Sequence, residues 1–421
     1  MSTSPAVAAS VAASVAASVA ASVAASAATF SARERWVMLV ASAWLVTGLQ
    51  LDAYAHATTP ELETFWTPWH AVLYSGIAAS GLTLVWLLRP RLPRIPTYES
   101  VLALPNALRV PILGMAFLLV GGGIDTLWHN VFGIEQGLEI FVSPSHELII
   151  LGMVLVAVGP ALMTTAAKLN FADGTLVTVS ALLTVLPLHI YSLHANVLGT
   201  IFFGHGEDPV RIYSTDAQIF HGYVFTTALL LLPIILIGRR WPLPPGVPTV
   251  LVAVPTLAMH LMFLSDEPWW MSLTIAAAAA GTELVIRVVA PLIPASPSTA
   301  WLLLGLVAPP LVWGTLFVVA DVQVGVGWNV HVVSGLLTYV SLTGAATILV
   351  ARNVRPPAHA FAEPPSAAPQ PSGALAVSPP AAPSPASPTG SAASPAAPAS
   401  ASPAASPSMP GASSSSDLTA S

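Results

Sequence analysis

Cysteine is absent from this chain of 421 residues, and charged residues make up only 8% of it. Without thiols the protein cannot form disulfides, thiolate metal sites or iron–sulfur clusters, and it cannot use a cysteine nucleophile. Any chemistry must therefore rely on histidine, carboxylate, hydroxyl or methionine side chains. The formal net charge is −6 and no large basic cluster is present, which argues against nucleic acid as a partner.

Apolar residues make up 55% of the sequence, and the mean hydropathy is +0.76. Too little polar surface remains to cover a soluble globule of this size. Ten apolar stretches are long enough to cross a bilayer as helices. They run approximately from Trp36 to His56, Phe65 to Leu88, Val110 to His129, Pro144 to Ala167, Leu176 to Leu198, Ile219 to Gly238, Val247 to Ser265, Met271 to Leu292, Trp301 to Val322 and Trp328 to Ala351. The sequence thus predicts an all-α, polytopic transmembrane bundle of about ten helices, arranged as five hairpins in the lipid bilayer.

The two ends of the chain differ in composition from its apolar centre. Five tandem copies of Val-Ala-Ala-Ser run from Val7 to Ser26. We interpret residues 1–30 as a low-complexity cytoplasmic extension, with an uncleaved signal or an additional helix as the alternative. Residues 356–421 are almost entirely Ala, Pro and Ser, a composition that predicts a disordered tail. The transmembrane helical domain is therefore expected to span residues 31–355.

Basic residues indicate how the helices are oriented, because they resist translocation and accumulate in cytoplasmic loops. When the ten predicted helices are threaded through a membrane, every Lys and Arg except Arg211 and Arg287 falls in the segments on one side. Arg287 lies in the eighth helix near that same side. The bias predicts that the N- and C-termini are both cytoplasmic and that the protein is a multi-pass protein of the plasma (inner) membrane.

The histidines collect on the opposite side of the same threading. All of them except His359, which belongs to the tail, lie at outward helix ends or in outward loops, together with most of the carboxylates. One face of the protein is therefore expected to carry nearly all of its metal-ligand chemistry.

A repeat between the first two helical hairpins identifies the strongest candidate site. Helices one and three both end with glycine, aspartate and histidine at intervals of four residues. The helix that follows each of them begins with a hydroxyl residue, proline, one further residue and histidine. The equivalent residues are Gly48, Asp52, His56, Thr67, Pro68, His70 and Gly76 in the first hairpin and Gly121, Asp125, His129, Ser143, Pro144, His146 and Gly152 in the second. Two hairpins with the same residues at nearly the same offsets indicate a duplicated half-site.

The spacing within the repeat suits a cation. Asp and His four residues apart lie on one face of a helix, so both side chains can reach one ion. Each aspartate is predicted to lie in the last turn of its helix, where the negative end of the macrodipole disfavours a carboxylate unless a cation compensates. A hydroxyl N-cap followed by proline places the second histidine in the first turn of the next helix. Such sets suit Cu(II), Zn(II) or Fe(II). The predicted metal ligands are Asp52, His56, His70, Asp125, His129 and His146.

Four other histidines are weaker candidates for the same centre. His189 and His194 belong to helix five, His221 opens helix six, and His331 lies at the last hairpin. For any single histidine at a membrane interface, an anchoring or packing role is the simpler interpretation. The repeated Asp/His/His set favours a cation site instead, because ionisable residues within a membrane are costly and tend to be functional.

Each of the two hairpins carries Asp-x3-His followed by a second histidine. This pattern resembles the copper ligands in the C subunit of particulate methane and ammonia monooxygenases. The matching residues are Asp52, His56 and His70, and Asp125, His129 and His146. The resemblance covers only these two hairpins. It implies an outward-facing copper site at one or the other set, and it implies neither a substrate nor a reaction.

The leading hypothesis is an integral membrane metalloprotein with an extracytoplasmic Asp/His site, in which copper is favoured over zinc or iron and oxidative chemistry is one use. The alternative is a transporter or channel in which the same residues form an outward vestibule for a metal ion or protons. Haem ligation by histidines of neighbouring helices and a purely structural role are further alternatives. The sequence leaves open whether the protein is an enzyme, and it identifies no protein partner.

Overall fold

Ten long helices make up most of residues 29–59, 67–133, 135, 137–199, 209–264, 267–292 and 297–353, the part of the chain that the computed structural model describes. They are α1 (Ala32–Thr58), α2 (Pro68–Leu88), α3 (Asn106–Phe132), α4 (Pro144–Ala157), α5 (Phe171–Tyr191), α6 (Pro209–Gly238), α7 (Val247–Phe263), α8 (Trp270–Val289), α9 (Pro297–Gln323) and α10 (Val330–Asn353). A further helical turn, Gly159–Leu162, follows α4, and a short helix, Tyr98–Leu102, lies between α2 and α3. No strand occurs in the described residues, and the predicted all-α bundle is confirmed. Nearly all of the predicted N-terminal extension and the whole predicted tail lie outside these ranges.

Nine of the described helices are long and apolar enough to cross a membrane, when α4 is taken together with the turn after it as Pro144–Leu162. The tenth, α7, has 17 residues and spans about 25 Å, slightly less than the hydrocarbon core of a bilayer. Large apolar side chains such as Leu82, Val318 and Leu127 are exposed on the helix surfaces. Exposure of such side chains is favourable in lipid and unfavourable in water. The chain is therefore a multi-pass membrane protein.

The bounds of α5 differ from those predicted because its cap lies earlier in the chain. The side chain of Asn170 accepts a hydrogen bond from the backbone N–H of Asp173 at 2.8 Å, which starts the helix at Phe171 instead of residue 176. The helix ends at Tyr191 instead of residue 198. His194 consequently lies in a 3₁₀ turn after the helix.

The first four helices form a bundle whose packing repeats. α1 pairs with α2, and α3 pairs with α4, as predicted for the first two hairpins. Between the hairpins, α1 packs against α4, and α2 packs against α3. In the repeat, α1 corresponds to α3 and α2 corresponds to α4, so these two contacts are equivalent. α5 packs mainly against α4 and α1 and less extensively against α6, whereas α7 with α8 and α9 with α10 form close pairs. The sequence repeat therefore corresponds to an approximate two-fold repeat in the packing.

Glycines at equivalent positions bring the two helices of each hairpin together. A Cβ atom added to any of four glycines would lie 2.6–3.0 Å from backbone atoms of the paired helix, at or below the shortest distance that real Cβ atoms show. The contacts are Gly48 with Leu73, Gly76 with Leu45, Gly121 with Ile149 and Gly152 with Leu118. Leu73 in the first hairpin is the repeat equivalent of Ile149 in the second, and Leu45 is the repeat equivalent of Leu118. The glycines thus set the distance between the helices that carry the aspartates and those that carry the second histidines.

Basic residues from several helices lie at one end of the bundle, where they form ion pairs and hydrogen bonds. We call this end the basic end. Arg35 Nη1 lies 2.6 Å from Oδ1 of Asp173, which joins the starts of α1 and α5. Arg240, after α6, donates to the carbonyl oxygen of Thr164, after α4, at 2.7 Å. Since α1 and α3 begin at this end, their final turns lie at the opposite end. We call that opposite end the histidine end.

Candidate metal centre

Asp52, His56 and His70 come together where α1 meets α2, and we call them the first triad. Nε2 of His70 lies 3.4 Å from Oδ2 of Asp52, and Nε2 of His56 lies 3.9 Å from the same oxygen. The predicted cap of α2 is confirmed, because Oγ1 of Thr67 accepts a hydrogen bond from the backbone N–H of His70 at 3.1 Å. Pro68 follows as the first helical residue and places His70 in the first turn.

Asp125, His129 and His146 form the second triad, between α3 and α4. Nε2 of His146 lies 3.2 Å from Oδ1 of Asp125, and Nε2 of His129 lies 3.4 Å from the same oxygen. His146 lies in the first turn of α4, as predicted. The predicted side-chain cap is wrong for Ser143, whose hydroxyl pairs with that of Ser145 at 2.7 Å instead of bonding the helix backbone.

The two triads have nearly the same internal geometry. Within each, the candidate ligand atoms lie within 4.8 Å of one another. The imidazole rings are 5.6 Å apart and tilted by 57° in the first triad, and 6.0 Å apart and tilted by 54° in the second. Ligand atoms bound at 2.0–2.1 Å to a tetrahedral metal are about 3.3–3.4 Å apart. The aspartate–histidine distances of the second triad match this spacing, and in the first triad only His56 lies further away.

Hydrogen bonds on the far side of both imidazoles orient the second triad. Nδ1 of His146 donates to the carbonyl oxygen of Ile140 at 2.9 Å, and Nδ1 of His129 donates to that of Gly133 at 3.3 Å. Because a carbonyl oxygen only accepts, Nδ1 carries the hydrogen in each ring. In a neutral imidazole, Nε2 then presents a lone pair beside the carboxylate of Asp125. Two such lone pairs next to a carboxylate are stabilised by a cation among them, which is the usual arrangement of metal-bound histidines.

Both aspartates are buried and incompletely paired. The exposed fraction is 8% for Asp52 and 4% for Asp125. Oδ1 of each carboxylate is buried and has no hydrogen-bond partner in the described part of the chain. A buried carboxylate oxygen without a donor is costly, and a cation removes that cost. The chemistry of the donor set therefore fits a bound metal ion in both triads.

The aspartates lie further from the helix ends than predicted. α1 continues to Thr58 and α3 continues to Phe132, so each aspartate lies nearly two turns before the end of its helix. His56 and His129 occupy the last turn instead. The prediction that the helix macrodipole disfavours these carboxylates is therefore wrong, because that effect is confined to the last turn. Burial is the cost that a cation would offset.

Glu135 is a further carboxylate at the second triad. Its Oε2 lies 3.0 Å from Nδ1 of His129, and its side chain is only 7% exposed. From the sequence it is predicted only as one of several carboxylates at the same end as the histidines. Nothing in the repeat marks this residue, since the offsets of the repeat align it with Thr59 or Leu62 of the first hairpin.

Both triads line a single cavity of about 300 Å³ between the two hairpins. Asp52 lies within Coulombic range of Asp125 and His146 across this cavity. Apolar side chains contributed by α1, α2, α4, α5 and α7 form most of the remaining wall. The ring of Tyr74, from α2, reaches towards α3, where a Cβ atom at Gly122 would lie 3.6 Å from it. A molecule in the cavity would therefore contact both triads.

The four weaker candidates do not join either triad. His189 is fully buried in α5, where Nδ2 of Asn196 donates to its Nδ1 at 2.9 Å. His194, His221 and His331 are exposed. Their positions are consistent with the packing and interfacial roles that single histidines commonly have.

These features define a class: a multi-pass helical membrane protein with two buried Asp/His groups at one end that could each hold a metal ion. No known protein family, curated protein or solved structure matches the chain. Its function is therefore argued from the geometry and chemistry of this site.

Proposed function

We propose that the protein is an integral membrane metalloprotein that binds transition-metal ions at its two Asp/His triads. The observation that carries the proposal is the outward hydrogen bonding of His129 and His146 through Nδ1, which leaves Nε2 of both rings beside Oδ1 of Asp125. Each of these two nitrogens already lies at the distance from Oδ1 that two ligands of a tetrahedral metal would have. The first triad repeats this donor set and supplies a second site.

Copper is the favoured metal, with zinc and iron as alternatives. Nitrogen and oxygen sites bind Cu(II) more tightly than the other divalent metals of the first transition row. The resemblance to the copper-ligand hairpin of the membrane monooxygenases supports the same choice. When bound, copper or iron would supply oxidative chemistry, whereas zinc would not because it has no redox chemistry. Oxidative activity therefore depends on which metal is bound.

The histidine end is proposed to face the extracytoplasmic side of the plasma membrane. The support for this orientation is the gathering of arginines at the basic end, where Arg35 and Arg240 make the contacts described above. With α7 counted as a tenth span, both ends of the helical domain would then lie in the cytoplasm. The triads would take metal from the periplasm or cell exterior.

Elemental analysis of the protein, purified in mild detergent without chelator, tests the proposal. We expect stoichiometric copper, zinc or iron in the wild type. Asp125→Ala and His146→Ala should remove the ion of the second triad and leave the first triad loaded, and Asp52→Ala should do the reverse. Absence of metal from the wild type, even after incubation with Cu(II), Zn(II) and Fe(II) in turn, would contradict the proposal.

Transport by the same residues has a distinct outcome. A vestibule for a metal ion or protons would give uptake of labelled ion into proteoliposomes, and the uptake would be lost in the same variants. A centre confined to the histidine end gives bound metal and no uptake. The two measurements together therefore separate a metalloprotein from a transporter.

A further inference from the structure

Glu135 is placed where it can act on a metal ligand without itself being part of a triad. It lies in the connection between α3 and α4, and it lines the same cavity as Asp125 and His129. Its Oε2 is 3.0 Å from Nδ1 of His129, on the side of the ring opposite to the nitrogen that faces Asp125. Only 9% of the surface of Glu135 is exposed.

The burial of this carboxylate calls for a partner. Both of its oxygens are buried, and neither accepts another hydrogen bond within the described residues. A buried, unpaired carboxylate is strongly unfavourable, so the N–H of His129 is the group that stabilises it. The hydrogen bond from His129 to the carbonyl oxygen of Gly133 is long, at 3.3 Å, so the carboxylate is the closer acceptor.

A carboxylate on the outer nitrogen of a metal-bound imidazole has a known physical effect. It fixes the tautomer and the orientation of the ring, and it increases the basicity of the nitrogen that binds the metal. In the second triad, Glu135 would hold the hydrogen of His129 on Nδ1 and direct the lone pair of Nε2 towards the ion. His146 obtains the same orientation from a neutral group, the carbonyl oxygen of Ile140.

We propose that Glu135 is a positioning residue for the second triad. Its carboxylate accepts a hydrogen bond from His129, orients that ring towards the metal ion and so strengthens metal binding at the second triad alone. This inference rests on the proposed function, since it assumes that the triad binds metal.

The test uses the first triad as an internal control. Glu135→Gln keeps the size of the side chain and removes its charge. The variant is made in two backgrounds: one lacks the first triad (Asp52→Ala, His56→Ala, His70→Ala), and the other lacks the second (Asp125→Ala, His129→Ala, His146→Ala). Cu(II) affinity is measured for each purified protein by competition with a chelator. Glu139→Gln, which changes an exposed carboxylate of the same connection, is the matched control.

We expect Glu135→Gln to weaken Cu(II) binding at the second triad by about 10–100-fold, and Glu139→Gln to leave it unchanged. The affinity of the first triad should be the same with either residue at position 135. Pulsed electron paramagnetic resonance of the Cu(II) protein adds a second measurement, because the coupling of the remote imidazole nitrogen reports its hydrogen bond. That coupling should change in the Glu135→Gln variant and not in the control.

Two results would overturn the inference while leaving the proposed function intact. One is equal Cu(II) affinity of the second triad with Glu or Gln at position 135. The other is an equal loss at both triads, which would indicate a general effect on folding. If the wild type and both backgrounds bind no metal, the proposed function fails and the inference fails with it.

Discussion

Nε2 of His146 lies 3.2 Å from Oδ1 of Asp125, while Nδ1 of the same ring donates to the carbonyl oxygen of Ile140. The imidazole is thus bonded on one side by a group that fixes its tautomer and faces a buried carboxylate on the other. A metal ion or a proton bound to Nε2 would each compensate the charge of this carboxylate. The competition between metal and proton for Nε2 is therefore the central property of the site.

The location of a histidine predicts whether it affects metal content or stability. His189→Ala should leave metal content unchanged and lower the free energy of unfolding by about 1–3 kcal/mol, because it removes a fully buried imidazole together with its hydrogen bond from Asn196. His331→Ala, at an exposed position, should change neither property. Elemental analysis and thermal unfolding in detergent measure both effects. A loss of metal in either variant would extend the centre beyond the two triads.

The fold could be predicted because lipid imposes a simple rule on sequence. A span needs about 20 apolar residues, and such runs stand out whatever their packing. The bounds of α5 were harder to predict, because the side chain of Asn170 caps the start of the helix with one hydrogen bond, and hydropathy does not reveal such a cap.

The site could be predicted only where the chain repeats itself. The six triad residues were identified because two hairpins carry them at similar offsets, and the packing of Gly48 and Gly121 explains why those offsets persist. Glu135 has no repeat equivalent, and its contact with His129 depends on the path of a connection that no periodic pattern describes. The position of the aspartates relative to the helix ends was wrong for a related reason, since α1 and α3 each continue beyond the histidine.

Gly48 should be essential for the spacing of the first triad. In Gly48→Ala the new Cβ would lie 2.7 Å from the Cα of Leu73, and a backbone atom cannot move aside without separating α1 from α2. We expect a loss of about 1–3 kcal/mol in the free energy of unfolding and weaker metal binding at the first triad. Gly123→Ala is the control, because no atom lies within 4 Å of its added Cβ. Equal stability of the two variants would show that close helix approach does not position Asp52.

Glu283 should stabilise the fold without affecting the metal centre. Its carboxylate accepts hydrogen bonds from the backbone N–H groups of Gly246 and Thr249 at 2.8 and 3.0 Å, and it pairs with Arg287 at 2.7 Å. Glu283→Ala leaves the start of α7 without these bonds, so we expect a loss of about 1–3 kcal/mol. Glu99→Ala, which removes an exposed carboxylate, should have little effect. A fall in metal content in Glu283→Ala, with stability retained, would be inconsistent with this role.

The absence of cysteine allows a direct test of orientation, because any introduced thiol is the only one in the chain. Tyr98 is 78% exposed between α2 and α3 at the basic end, and Val324 is 58% exposed between α9 and α10 at the histidine end. In intact cells, a membrane-impermeant maleimide should label Val324→Cys and not Tyr98→Cys. Both should react after permeabilisation, which controls for the reactivity of each thiol. Labelling of Tyr98→Cys alone in intact cells would reverse the orientation and place both triads on the cytoplasmic side, where metal would have to be supplied from within the cell.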